Sequence, residues 1–211
     1  MTPNEIWHSL DVKLIAILRG VLPEETSDVV RALLGAGFRA IEITMNSPDP
    51  YRSVELALNA AEPYGPCLIG AGTVLHAQQV RDLYTLGANL IVSPDIAPDV
   101  VTEALRLGCA SFPGVFTATE AHQAVRLGAT GLKFFPASVL GPEGIKAIKA
   151  TLPDAAQICA VGGVSESDFP AYLAAGTHGF GIGSNLYRRG KEIGQIARDA
   201  ETLAQAFLSN A

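Results

Sequence analysis

The chain has 211 residues, 48% hydrophobic and 17% charged with 21 glycines, which excludes disordered and fibrous classes and suffices for one substantial core. A formal net charge of −6 argues against nucleic acid or an anionic membrane as partner, because both select basic surfaces. No apolar run reaches membrane-spanning length, and Met1-Thr2-Pro3-Asn4-Glu5 lacks the basic and apolar regions of a signal peptide, so a cytoplasmic protein with a single domain over residues 1–211 is expected. An anionic small ligand would have to be held by local donors, since the overall field would not attract it.

A short amino-terminal helix is predicted to end near Leu10. From there apolar runs alternate with helical stretches to the carboxyl end. The candidate strands are Leu14 to Arg19, Ala40 to Met45, Leu68 to Thr73, Leu90 to Ser93, Ala110 to Gly114, Gly131 to Phe135, Ile158 to Gly162 and Gly179 to Gly183. They are nearly continuous in Val, Ile, Leu, Ala, Phe and Gly, as parallel strands covered on both faces require. Helix-length segments lie between them, among them Glu24 to Ala36, Ala77 to Leu86, Ala118 to Leu127 and Ser167 to Ala175. A weak repeat, seen in Leu86-Gly87-Ala88, Leu107-Gly108-Cys109, Leu127-Gly128-Ala129 and Ala175-Gly176-Thr177, closes a helix with glycine and opens the next strand. Eight such units predict an α/β fold, a (β/α)8 TIM barrel preceded by the short helix. A dinucleotide-binding sheet would show a GxGxxG turn that is absent here.

In such a barrel the functional residues stand at the carboxyl ends of the strands. Lys133 lies in the apolar run Gly131-Leu132-Lys133-Phe134-Phe135-Pro136, where a lysine must be paired or lose its charge. Desolvation favours the neutral amine, the form that attacks a carbonyl to give a Schiff base, although a strand-end lysine reaching water or a carboxylate would fit the same hexapeptide. Alternation along the second strand points Glu42, Thr44 and Asn46 one way and Ile41, Ile43 and Met45 towards the helices. An inward Glu42 is either a general acid/base with a raised pKa or half of an ion pair with Lys133. Arg19 could fork onto a substrate carboxylate or bridge to Glu42. Thr73 offers a hydroxyl to a ligand or caps the next turn.

Val161-Gly162-Gly163-Val164 and Gly181-Ile182-Gly183-Ser184-Asn185 end strands seven and eight, the usual phosphate site of these barrels; each alone could be a tight turn. Their amides and the Ser184 hydroxyl would receive phosphate oxygens. Asp95 reads as a helix cap or loop acid. Cys67, Cys109 and Cys159 read as small core thiols, and the spacing of His8, His76, His122 and His178 offers no metal site.

Leu14 to Gly20, Ile41-Glu42-Ile43, Ile69-Gly70-Ala71-Gly72-Thr73-Val74, Leu132-Lys133-Phe134-Phe135-Pro136-Ala137, Val161-Gly162-Gly163-Val164 and Gly183-Ser184-Asn185-Leu186-Tyr187 together resemble the class I 2-keto-3-deoxy-6-phosphogluconate/6-phosphogalactonate aldolase family. The resemblance covers nearly the whole chain. It implies an aldolase without metal or cofactor, usually a homotrimer, that splits a phosphorylated 2-keto-3-deoxy sugar acid into pyruvate and glyceraldehyde 3-phosphate. Lys133 matches the family's Schiff-base lysine, Glu42 its acid/base, and Gly162, Gly163, Gly183 and Ser184 its phosphate loop.

The gluconate-specific branch carries an arginine four residues after the glutamate and a threonine before the double glycine. Asn46 and Val161 stand here, as in the galactonate branch, whose substrate is the C4 epimer. A methyl in place of a hydroxyl beside C4 removes one hydrogen bond, which can reverse an epimer preference. With Asn46 uncharged, Arg19 is the better candidate for the substrate carboxylate. Phe135 and its apolar neighbours are expected to keep the site dry. Two other readings share the barrel and phosphate loop: a sugar-phosphate isomerase or epimerase without an imine, and a non-catalytic sugar-phosphate-binding barrel.

Overall fold

The computed structural model describes residues 1–211. Helix α1 (Pro3–Ser9) starts on a capping box in which Thr2 and Glu5 exchange backbone-to-side-chain hydrogen bonds of 2.7 and 3.2 Å, with Pro3 at its first position. It turns Ile6 and Trp7 onto the amino end of the barrel. There Trp7 meets the Phe112 ring edge to face at 4.8 Å and closes the bottom.

Nine parallel strands follow: β1 (Leu14–Leu18), β2 (Ala40–Thr44), β3 (Leu68–Gly72), β4 (Leu90–Val92), β5 (Ala110–Phe112), β6 (Gly114–Val115), β7 (Leu132–Phe134), β8 (Ile158–Val161) and β9 (Gly179–Ile182). Their order is β5-β4-β3-β2-β1-β9-β8-β7-β6, so the two ends of the sheet are consecutive in the chain. The single fifth strand expected from sequence is therefore two short ones, divided at Pro113. Proline has no N–H to donate to a ladder, and the Gly114 amide turns to the Asp95 carbonyl instead. Up to Phe112 the chain pairs with β4 and from Gly114 with β7, and the barrel closes across that step.

The helices between strands are α2 (Pro23–Gly35), α3 (Pro50–Ala61), α4 (Ala77–Thr85), α5 (Pro98–Arg106), α6 (Ala118–Leu127), α7 (Ala137–Lys149), α8 (Phe169–Ala174) and α9 (Ile193–Leu208). Pro23, Pro50 and Pro98 begin theirs, where the missing N–H costs nothing. Helix α7 is broken at Gly141 (φ 71°), followed by Pro142. The helix read from sequence as Ser167 to Ala175 starts two residues later, at Phe169, because Glu166–Asp168 form a 3-10 turn leading into α8.

Strand alternation sorts the core into two layers. Ile41, Ile43, Leu132, Phe134, Ala160 and Phe180 face the helices within a cluster of 49 buried residues. The barrel interior holds only 12, which leaves its upper part to Glu42 and Lys133.

Candidate active site

Glu42 and Lys133 enter the barrel from β2 and β7, which lie on different sides of the closed sheet. Glu42 is 1% and Lys133 8% exposed. A small void between them is lined by Ile15, Ile17, Val92, Phe112, Cys159 and Val161. Burial pushes the Glu42 carboxyl above the usual carboxylate range, partly offset by the charges of Lys133 and Arg19. Burial likewise lowers the Lys133 amine, with Glu42 opposing and Arg19 adding to the shift.

The ion pair left open by the sequence is not formed: no Glu42 to Lys133 contact falls within 4.0 Å, and Glu42 Oε2 is buried without a hydrogen-bond partner. An unpaired buried carboxylate oxygen is costly unless the group holds a proton or faces a ligand. Across the ladder the carboxylate lies against Gly72, where an added Cβ would overlap Oε2, so any side chain at 72 displaces the carboxylate.

Above this pair opens a cavity of about 170 Å³ at the carboxyl ends of the strands. Arg19, Thr73, Phe135, Val161, Gly162, Gly163, Gly183 and Ser184 all line it, together with Glu42 and Lys133. Pro94, in the loop after β4, and Asn185, the last residue of the Gly181–Asn185 motif, also line it. A larger cavity of about 490 Å³ lies at the opposite, amino end of the strands, but no carboxylate, lysine or arginine lines it.

Arg19 donates to Asn46 Oδ1 at 2.9 Å and not to Glu42. The two strand ends are further tied by Ser47, whose hydroxyl accepts from the Gly20 amide at 2.9 Å and meets the Thr44 hydroxyl at 3.0 Å. Thr44 is thus spent on the loop and does not line the cavity. Thr73 has a left-handed backbone (φ 57°), a strain of about 1–3 kcal/mol for a β-branched residue, and caps nothing, since α4 is preceded by His76. Asp95 is a loop residue, because Ala97 precedes α5.

Phe135 departs from expectation. It is 42% exposed at the rim, with its ring 5.2 Å from Lys133 Nζ, and it precedes a cis peptide to Pro136. The dryness around the amine comes from Ile17, Phe112, Cys159 and Val161, which are buried and line the void it shares with Glu42.

Gly162 (φ 94°) and Gly163 (φ 72°) are consecutive left-handed residues, a conformation side chains rarely adopt. The Gly163 and Ser184 amides have no acceptor in the protein. Left-handed glycines beside free amides form a concave donor surface suited to phosphate.

A buried amine, a buried acid and a glycine-lined donor surface thus share one barrel mouth, in a chain that is similar over most of its length to known proteins. The family model for KDPG and KHG aldolase matches residues 8–198. A probable 2-dehydro-3-deoxy-6-phosphogalactonate aldolase of Rhizobium meliloti is 54% identical, covering 92% of this chain and 91% of its own. The 2-dehydro-3-deoxy-6-phosphogalactonate aldolase of Escherichia coli K12 is 44% identical, over 92% and 94%. The solved native KDPGal structure superposes with a TM-score of 0.91 at 42% identity, covering 94% of this chain and 96% of that one. The chain belongs to the KDPG and KHG aldolase family.

Proposed function

We propose that this protein is a Schiff-base aldolase cleaving 2-dehydro-3-deoxy-6-phosphogalactonate to pyruvate and glyceraldehyde 3-phosphate. The observation that carries the reading is a lysine with lowered pKa and an unpaired acid with raised pKa sharing one dry void beneath an anion cradle. The neutral Lys133 amine attacks the C2 ketone, and loss of water leaves a protonated imine. Glu42, directly or through a water, takes the C4 hydroxyl proton. The C3–C4 electron pair moves into the imine, and glyceraldehyde 3-phosphate departs. The enamine is then protonated at C3, with Glu42 as donor, and hydrolysis of the imine releases pyruvate and restores the amine.

Arg19, steered by Asn46, takes the substrate carboxylate with help from Thr73. Gly162, Gly163, Gly183 and Ser184 hold the phosphate. Val161 lies at the rim of the void and offers a methyl where a threonine would offer a hydroxyl.

Pyruvate release from the two C4 epimers, followed by coupled reduction, tests the assignment. The galactonate epimer should give the higher kcat/KM, and Val161→Thr should shift the ratio towards the gluconate epimer by about tenfold, the worth of one hydrogen bond. No pyruvate from either epimer would rule out the aldolase; equal rates would rule out the epimer assignment.

The reading extends to a homotrimer in the cytoplasm. Exposed Leu75, Phe116 and Phe135 on the loops after β3, β6 and β7, with exposed Val139 in the first turn of α7, support assembly, which sedimentation at three chain masses checks. Three free buried thiols suit a reducing compartment.

A further inference from the structure

The turn carrying Gly183 and Ser184 is held by side chains that take no part in the chemistry. Lys191 Nζ donates to the Asn185 carbonyl at 3.0 Å and the Leu186 carbonyl at 2.8 Å, and meets Asp199 Oδ2 on α9 at 2.5 Å. Three ammonium donors thus have three acceptors, an arrangement unlike a solvated surface lysine, and the side chain is mostly buried. The other Asp199 oxygen receives Gln195 Nε2 at 2.7 Å, so the carboxylate is itself fixed to the helix.

The consequence lies in the peptide planes. The Leu186 and Tyr187 amides both donate to the Gly183 carbonyl at 2.9 Å, while Lys191 takes the carbonyls of Asn185 and Leu186. Both ends of the 185–186 peptide are therefore pinned, and the Leu186 carbonyl is pinned beside it. The preceding Ser184 and Asn185 amides are left without an acceptor, at the edge of the cavity. The Tyr187 hydroxyl anchors the turn from below by donating to Glu25 Oε1 at 2.6 Å. Asn185 Nδ2 ties it to the Val164 carbonyl at 3.3 Å, beside the double glycine.

We infer that Lys191, anchored by Asp199, is a positioning residue that holds the Gly183–Tyr187 turn with its amides presented to the substrate phosphate. This rests on the aldolase reading above. It makes Lys191 a determinant of phosphate affinity that never touches the reacting carbons.

The test uses Lys191→Met, which keeps the stem and removes the donors, and Asp199→Asn, which removes only the anchoring charge. Three quantities are read in the full-length protein: KM and kcat for the phosphorylated substrate, inhibition by inorganic phosphate, and deuterium exchange into the pyruvate methyl group. The last needs the imine and the acid/base but no phosphate site. In Lys191→Met, KM and the phosphate inhibition constant should rise about ten- to a hundredfold, the worth of lost charge-assisted hydrogen bonds, with pyruvate exchange within about twofold of wild type. Asp199→Asn should move both constants in the same direction by less.

KM and phosphate inhibition unchanged in both variants would overturn the inference. So would a fall in exchange parallel to the rise in KM, which would mark general damage. Absence of exchange in the wild-type protein would instead overturn the aldolase reading.

Discussion

Lys133→Ala should lose at least about four decades of pyruvate release, because no other amine in the cavity can form the imine and the remaining groups only bind. Arg19 is the only other cation lining the mouth, and its guanidinium offers no amine to a ketone. Borohydride added with pyruvate should trap one adduct on wild-type Lys133, read by intact mass and peptide mapping, and none on the variant. A variant that still turns over, or an adduct on another lysine, would remove Lys133 from the mechanism. The pH dependence follows from the lowered amine pKa. Trapping should rise with pH around a midpoint below the ordinary lysine value of 10.5, because burial makes the neutral amine available earlier.

Glu42→Gln should slow cleavage by about two to four decades while leaving the lysine able to form the adduct. Two further consequences separate an acid/base from a structural carboxylate. Glu42 is the only acid lining the cavity, and its charge raises the Lys133 pKa; without it the amine pKa falls further, and the acid limb of borohydride trapping should move to lower pH. A limb that stays in place would mean that the two groups do not interact.

The second consequence is in stability. A carboxyl with a raised folded pKa holds a proton that the unfolded chain releases above its ordinary 4.5, so the folded state loses stability as pH rises from there through the folded pKa. Glutamine cannot ionise and escapes that loss. Thermal melts should therefore place Glu42→Gln at or above wild type on the alkaline side of that window, with the difference closing towards acid pH. A variant that melts well below wild type throughout would make Glu42 a structural residue.

Both effects depend on an arrangement that is only half legible in the chain. The alternation of apolar runs and helical stretches specifies parallel strands, since runs such as Leu14 to Leu18 and Leu68 to Gly72 are buried along their full length. Lys133 stands out because a charge in an apolar run is locally anomalous, and the glycine pairs at 162–163 and 181–183 because few residues reach the backbone geometry they adopt or leave amides bare. The boundaries were less legible. Apart from the fifth, which resumes as β6, each expected strand ran one residue past the observed one at the carboxyl end, because Arg19, Met45, Thr73 and Ser93 follow their apolar runs with no Pro between to mark the end, yet already turn into the loop. The step at Pro113 and the exposure of Phe135 at the rim have the same origin: local composition does not say where neighbouring strands stop.

The sequence by itself determined the strand and helix alternation of the barrel, the buried lysine, the buried acid and the glycine pairs at the strand ends, because each is written in residues a turn or a strand apart. Tertiary structure decided that Glu42 and Lys133 share a void without pairing, that Arg19 answers to Asn46, that Trp7 closes the floor and that Lys191, paired with Asp199, holds the carbonyls of the Gly183–Tyr187 turn. Those are distances between side chains on different elements. They follow from strand register and barrel closure, which depend on all the packed layers at once and leave no trace in any short stretch of chain.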